Sequence, residues 1–160
     1  MGASGHSIIR AKMMELGAPL AGEMSGHIFF KDRYYGFDDA LYAAVRFVDL
    51  LATAGKSAAS MLDELPVMCN TPVVRFEVPE ERKFVVVKEV KARLEASGAT
   101  VNDVDGVRVS ESGGWWLLRA SNTQNSLVCR CEASSENTLT GLKESVTAQL
   151  RLSGIDAAPF

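Results

Sequence analysis

The sequence predicts an α+β protein in two unequal parts: a partial α/β segment, then a domain in which helices cover one face of an antiparallel sheet. Two observations carry this prediction. From Pro72 onward the periodic segments run strand, helix, several strands, helix, separated by Gly, Ser and Asp turn signals, the order of an antiparallel sheet with its helices on one side. Residues 1 to about 55 offer only two helices and two short strands, too few elements to close a core, so they read as the tail end of something larger.

In chain order, Ile9, Met13 and Leu16 keep helical spacing, with Ser7 as the expected N-cap and Gly17 as the stop. Pro19 to Ala21 and Ile28 to Phe30 read as short strands on either side of a polar loop. Asp38 or Asp39 can cap a second helix, whose stripe of Leu41, Val45, Val48 and Ala52, widened by Ala44, Phe47 and Leu51, predicts a well-buried element. A short helix follows around Ala58 to Leu65, and Pro66 to Pro72 looks like a connection.

The second domain opens with a strand from Val73 to Val78. Phe84 to Val87 has high β propensity, but Pro79-Glu80-Glu81 is a helix start. Phe84, Val87, Val90 and Leu94 keep the helical period, and Gly98 can close the end. Val101, Val107 to Val109, Trp115 to Leu118 and Leu127 to Glu132 then form a meander through the Asp105-Gly106 and Ser112-Gly113-Gly114 turns. Ser134 or Ser135 caps the last helix, which buries Leu139, Leu142, Val146 and Leu150 and runs until Gly154.

The chain has 160 residues, 47% hydrophobic and 23% charged, with a net charge of −3. This balance argues against general attraction to nucleic acid or membrane surfaces, so a bound anion needs a local site. The apolar runs are far shorter than the roughly 20 residues that span a bilayer, and the start lacks a secretory pattern; a cytoplasmic location is expected. Cys69, Cys129 and Cys131 form neither a disulfide framework nor a metal-ligand spacing; buried, reduced thiols fit a reducing compartment.

Two stretches carry chemistry. Gly22-Glu23-Met24-Ser25-Gly26-His27 places a carboxylate, a hydroxyl and an imidazole at every second position. If extended, it is a comb of hydrogen-bonding groups suited to a polyol. By residue types alone, a polar surface loop with Glu23 and Ser25 solvated fits as well. Arg119-Ala120-Ser121-Asn122-Thr123-Gln124-Asn125 joins a guanidinium to two hydroxyls and amides on one connection, a phosphate cradle in residue types; an Asx-rich hairpin loop with Arg119 solvated shares that composition.

Gly22 to His27, followed by Ile28-Phe29-Phe30 and Tyr35-Gly36-Phe37-Asp38-Asp39-Ala40, resembles the sugar-binding loop region of the α-D-phosphohexomutases, and Glu-Met-Ser-Gly resembles the phosphomannomutase/phosphoglucomutase branch. Arg-Ala-Ser-Asn-Thr, with the strand ending Arg130-Cys131-Glu132-Ala133, resembles the phosphate-binding loop of the same superfamily's fourth domain. Asn125 stands where a proline is common, so a slightly looser loop is expected. The resemblance implies a TATA-box-binding-protein-like C-terminal domain. It also implies sugar contacts from Glu23, Ser25 and His27, and phosphate contacts from Arg119, Ser121, Asn122 and Thr123. Ser4-Gly5-His6-Ser7 resembles the segment that brings a catalytic His to the reaction centre, a role that falls on His6.

The family's serine loop and its Asp-rich Mg²⁺ loop find no counterpart, and no Asp-x-Asp-x-Asp run occurs. The chain therefore reads as a C-terminal fragment. Residues 1–57 are the partial third domain, 58–71 a linker with a short helix, and 72–160 the phosphate-binding domain. The expected parent interconverts 1-phospho and 6-phospho glucose or mannose through a bisphosphorylated sugar, an upstream phosphoserine and Mg²⁺. The fragment itself is expected to bind no cofactor and to be inactive, with phosphosugar and the upstream domains as partners. The alternative is a stand-alone, non-catalytic phosphosugar-binding or regulatory module.

Overall fold

The computed structural model describes residues 2–3 and 5–155, which fall into two units, Met1–Pro66 and Val67–Phe160. The first unit begins with α1 (His6–Leu16). The Gly5 carbonyl accepts the first helical bond, from the Ile9 amide at 2.9 Å. Gly5, at φ 122°, therefore holds the N-cap position expected of Ser7, which lies inside the first turn with no capping bond. Gly17 ends the helix at φ 63°, a left-handed conformation that glycine adopts without steric cost.

Strands β1 (Leu20–Gly22) and β2 (Ile28–Phe30) pair antiparallel as a hairpin. Helix α2 (Ala40–Ala54) starts where the Asp39 carboxylate accepts the Tyr42 amide at 2.9 Å. Arg46 of this helix grips Asp32 through two nitrogens, at 3.1 and 3.0 Å, and lies 4.4 Å above the Phe30 ring, tying α2 to the hairpin. The expectation of a well-buried α2 fails, with Leu41 82%, Val45 64% and Val48 64% exposed. A two-stranded hairpin covers only the side of the helix that carries Tyr42 and Arg46, so the apolar stripe has no sheet to pack on in this unit. Helix α3 (Ala58–Leu62) is capped by Ser57 and is shorter than the sequence suggests.

The second unit comprises β3 (Cys69–Asn70), β4 (Val74–Glu77), α4 (Glu80–Ala96), β5 (Val101–Asn102), β6 (Val107–Glu111), β7 (Gly114–Ala120), β8 (Ser126–Ala133) and α5 (Glu136–Leu152). All pairings are antiparallel, in the order β3-β8-β7-β6-β5, with β4 also on β8. The stretch expected to be connection thus contains β3, and Thr71 beside it is buried, its amide and hydroxyl both bonded to the Cys131 backbone at 3.0 and 3.1 Å. The antiparallel sheet with covering helices is as predicted.

Side chains alternate along β7: Trp116, Leu118 and Ala120 enter the core, while Trp115, Leu117 and Arg119 are half-buried on the opposite face. The core face receives Val86, Val90 and Leu94 from α4, and Leu139, Leu142, Val146 and Leu150 from α5. The segment 84–87 is helical, so propensity gives way to the amphipathic pattern, but the inner stripe is Lys83, Val86, Val90 and Leu94. Phe84, expected inside, is 49% exposed. Cys129 and Cys131 are buried side by side in the core as expected, whereas Cys69, on the edge strand, is half-buried. Arg93 bonds the Gln149 carbonyl and the Ser153 hydroxyl at 2.9 and 2.8 Å, and Arg82 bonds the Ser153 carbonyl at 3.0 Å. These contacts satisfy groups that the end of α5 would otherwise leave unpaired.

Candidate functional site

In the first unit the predicted comb is not extended. Gly22 pairs with Ile28, the Glu23 amide donates to the His27 carbonyl at 2.9 Å, and the Gly26 amide donates to the Glu23 carbonyl at 3.0 Å. Gly26 takes φ 91°, so the loop is a tight hairpin turn that glycine permits. The turn still gathers the polar groups. Ser25 Oγ donates to Glu23 Oε2 at 3.1 Å, and Glu23 Oε1 accepts the Gly5 amide at 3.2 Å. That second bond brings the start of α1, and with it His6, next to the turn; Ser4 of the same segment lies outside the described residues.

His27 Nδ1 lies 2.5 Å from Asp38 Oδ2. An ionised carboxylate can only accept, so Nδ1 is the donor in this contact. Asp38 is free for this because Asp39 takes the helix cap, and a bridge between Phe29 and Asp38 fixes its position. The sequence raised Asp38 only as an alternative cap and gave no sign of its tie to the imidazole. Asp39 is also bonded to the Tyr34 hydroxyl; this contact first, then the Tyr42 amide, holds the Asp39 carboxyl below the usual range, and the same Asp39 contact, with burial, pushes the Tyr34 hydroxyl up to about 12.

In the second unit the loop spans Ser121 to Asn125, and Arg119 lies on β7 instead, paired with Val128. On the other edge of β8, Val128 pairs with Arg75. Arg119 and Arg75 therefore flank Val128 on the face away from the helices. The loop is held from within. Ser121 is buried, and its Oγ accepts the Thr123 and Gln124 amides at 3.4 and 3.1 Å, which leaves its own proton to donate. The Ser121 amide donates to the Ser126 carbonyl at 2.9 Å, and the Val78 amide to the Asn125 carbonyl at 3.0 Å. Asn122 and Thr123 are exposed. An open cleft of about 890 Å³ lies beside the loop, lined by Arg75, Glu77, Val78, Pro79 and Thr123 to Ser126.

Two residues of this neighbourhood escaped sequence reasoning. Arg75 looked like any outward residue of a strand. Lys83 stands on the buried stripe of α4, and the available signal was a charge on a helix face otherwise filled by valine and leucine. Among the described residues no three carboxylate, imidazole or thiol groups converge as ligands for a metal, so the residues present do not fit the Mg²⁺ site expected of a parent enzyme. No described helix is long and apolar enough to cross a membrane.

Two polar hairpin loops, one carrying Glu23, Ser25 and His27 and one running from Ser121 to Asn125 beside Arg119, are thus the candidate sites of the chain. Residues 1–68 match the family described as phosphoglucomutase/phosphomannomutase, alpha/beta/alpha domain III, and residues 73–149 match the phosphoglucomutase/phosphomannomutase C-terminal domain. The chain belongs to the phosphoglucomutase/phosphomannomutase family. It is 42% identical to a phosphomannomutase/phosphoglucomutase of Pseudomonas putida over 92% of its own length and 32% of that protein's. It is 44% identical to a phosphoglucomutase of Neisseria gonorrhoeae over 83% of its length and 29% of that protein's. A crystal structure of a phosphoglucomutase/phosphomannomutase family protein from Burkholderia thailandensis superposes with a TM-score of 0.86 at 38% identity, covering 100% of this chain and 34% of that one. The chain spans about a third of the length of these relatives.

Proposed function

We propose that the chain supplies the sugar- and phosphate-recognising parts of a phosphohexomutase that interconverts 1-phospho and 6-phospho glucose or mannose through a bisphosphorylated sugar. Glu23 and Ser25 bind the sugar hydroxyls, with His27 held beside them by Asp38 and His6 at the neighbouring helix start. Arg119, Ser121, Asn122 and Thr123 bind the phosphate. The working boundaries are residues 1–57 for sugar recognition, 58–71 for the connection and 72–160 for phosphate recognition.

The observation that carries the reading is that both family matches fall in sequence on this chain, each containing one of the two loops. The chemistry supports it. Turnover requires the sugar to reverse between two transfers, so either phosphate position must fit one cradle. A guanidinium with short hydroxyls and turn amides recognises a phosphate without reading what it is attached to. The nucleophile that carries the phosphoryl group and the metal that neutralises its charge belong to the rest of the parent, since phosphoryl transfer depends on both.

A coupled assay with glucose 1-phosphate, glucose 1,6-bisphosphate and Mg²⁺ tests the reading. The parent enzyme should turn over glucose or mannose 1-phosphate, and the 160-residue chain alone should not. Turnover by the isolated chain above a blank from the same host overturns the division of labour; a parent without mutase activity overturns the function.

A further inference from the structure

We propose that Lys83 is a positioning residue of the phosphate loop: its buried ammonium holds the Gln124 carbonyl and thereby fixes how the loop presents its amides. The inference rests on the phosphate-binding reading of residues 119–125 and adds a residue that reading does not contain.

Lys83 sits in the first turns of α4 on the inner stripe with Val86, Val90 and Leu94, and its side chain is 3% exposed. Lysine is almost never buried to this extent without a partner. Its Nζ lies 2.7 Å from Glu80 Oε2, 3.3 Å from the Gln124 carbonyl oxygen and 5.1 Å from the Phe84 ring centre. A leucine or methionine would fill the same stripe, and the Glu80 carboxylate that pairs with the ammonium is itself 58% exposed, so solvent screens their attraction. Fold stability therefore gives little reason for an ammonium here, whereas the loop does.

Gln124 and Asn125 present consecutive carbonyls toward the start of α4: the Gln124 oxygen accepts the Ser126 amide at 2.8 Å and Lys83 Nζ at 3.3 Å, and the Asn125 oxygen accepts the Val78 amide at 3.0 Å. Carbonyl oxygens repel an anion, and a trans peptide points its C=O and N–H in opposite directions. Holding the Gln124 carbonyl against Lys83 thus sends the Asn125 N–H to the opposite side. At the other end of the loop, Ser121 Oγ collects the Thr123 and Gln124 amides. Lys83 and Ser121, with the Ser126 amide that shares the Gln124 carbonyl, set the peptide planes of the turn before any phosphate arrives, which lowers the ordering cost of binding. Glu80 neutralises the ammonium locally, so the contribution of Lys83 is geometric and separable from the charge of Arg119.

The experiment uses the 160-residue chain with Lys83→Met, which keeps the stem and removes the head, Lys83→Arg, and Arg119→Ala. Amide hydrogen exchange is read residue by residue, and affinity is read by titration with inorganic phosphate and with glucose 1-phosphate. Lys83→Met should speed exchange at residues 121–126 several-fold, leave β7, β8 and α5 protected, and weaken both probes by about tenfold, the equivalent of one charged hydrogen bond. Lys83→Arg, which restores a donor, should recover part of both effects. Arg119→Ala should lose affinity with loop exchange unchanged.

Unaltered loop exchange and affinity in Lys83→Met overturn the proposal; so does protection lost across α4 and β8 with affinity retained, the pattern of a plain stability residue. Should Lys83→Met not fold, Glu80→Gln removes one side of the ammonium's seat, and faster exchange confined to 121–126 supports the role while unchanged exchange overturns it. If the unaltered chain binds neither probe, the phosphate reading fails, and the exchange data still decide whether Lys83 orders the loop.

Discussion

Removing the Arg119 guanidinium should weaken phosphate recognition at least tenfold while leaving the second unit folded. Arg119 is the only formal charge between Leu118 and Asn125, and it stands half-buried at the end of β7, on the sheet face that the helices do not cover. A guanidinium on a phosphate makes up to two parallel charge-assisted bonds, each worth roughly 1.5 to 3 kcal/mol. Solvent and salt screen such contacts at an open loop, so about 1.4 to 2.8 kcal/mol survives, a factor of about 10 to 100. Stability should change far less. The Arg119→Ala change keeps the Cβ that packs on Gly106 and removes a chain from the uncovered face, where substitutions stay within about 0.5 to 1 kcal/mol. The assay is kcat/KM of the parent enzyme with glucose 1-phosphate and with mannose 1-phosphate, beside thermal unfolding of the 160-residue chain. Arg119→Lys should recover only part of the loss, since an ammonium keeps the charge but not the fork. Unchanged kinetics with both sugars in Arg119→Ala would refute the argument and reduce residues 121–125 to a hairpin connection.

Gly106, at φ 82°, leaves no room for a side chain: a Cβ would lie 2.4 Å from the Leu118 carbonyl oxygen and 2.5 Å from the Arg119 Cβ. Gly106→Ala should therefore cost about 2 to 4 kcal/mol from left-handed strain and overpacking, measured by urea unfolding, and should weaken phosphate binding through Arg119. A chain of residues 67–160 should unfold cooperatively, and starting at Thr71 instead should lower its midpoint, because β3 and its pairing with Glu132 and Ala133 are lost; equal midpoints would show that β3 contributes nothing. The Asp39 carboxyl is held below its ordinary 3.8, first by the Tyr34 hydroxyl and then by the Tyr42 amide. A lowered folded-state pKa gives stability that is present above the unfolded value and lost as pH falls through the folded one. Asp39→Asn should thus flatten the acid side of the first unit's unfolding below about pH 4. Tyrosine ring resonances report it, since Tyr34, Tyr35 and Tyr42 are the chain's three tyrosines and all lie in that unit.

Local sequence determined the elements wherever pattern and punctuation agreed. The caps at Asp39 and Ser135 and the stop at Gly17 act within a turn of the chain, and Leu139, Leu142, Val146 and Leu150 show the buried side of α5 by spacing alone. By residue types the two loops fit plain polar connections as well, and it was the order of their residues, matched to a known family, that singled them out.

Tertiary structure decided what depends on residues far apart in the chain. The exposure of Leu41, Val45 and Val48 was hidden, since an amphipathic stripe states what it would bury against and not whether that surface exists in the unit. The partnership of His27 with Asp38 needed the segment after Gly36 to fold back on β2. Cys69-Asn70 became a strand only because β8 offered a free edge. The burial of Lys83 followed from the phase of α4 against the sheet, which Phe84 and Val87 masked, and from a carbonyl 41 residues downstream that accepts its hydrogen bond. Periodicity fixes the faces of an element, but its phase and the pairing of buried charges are set by the neighbours that packing brings.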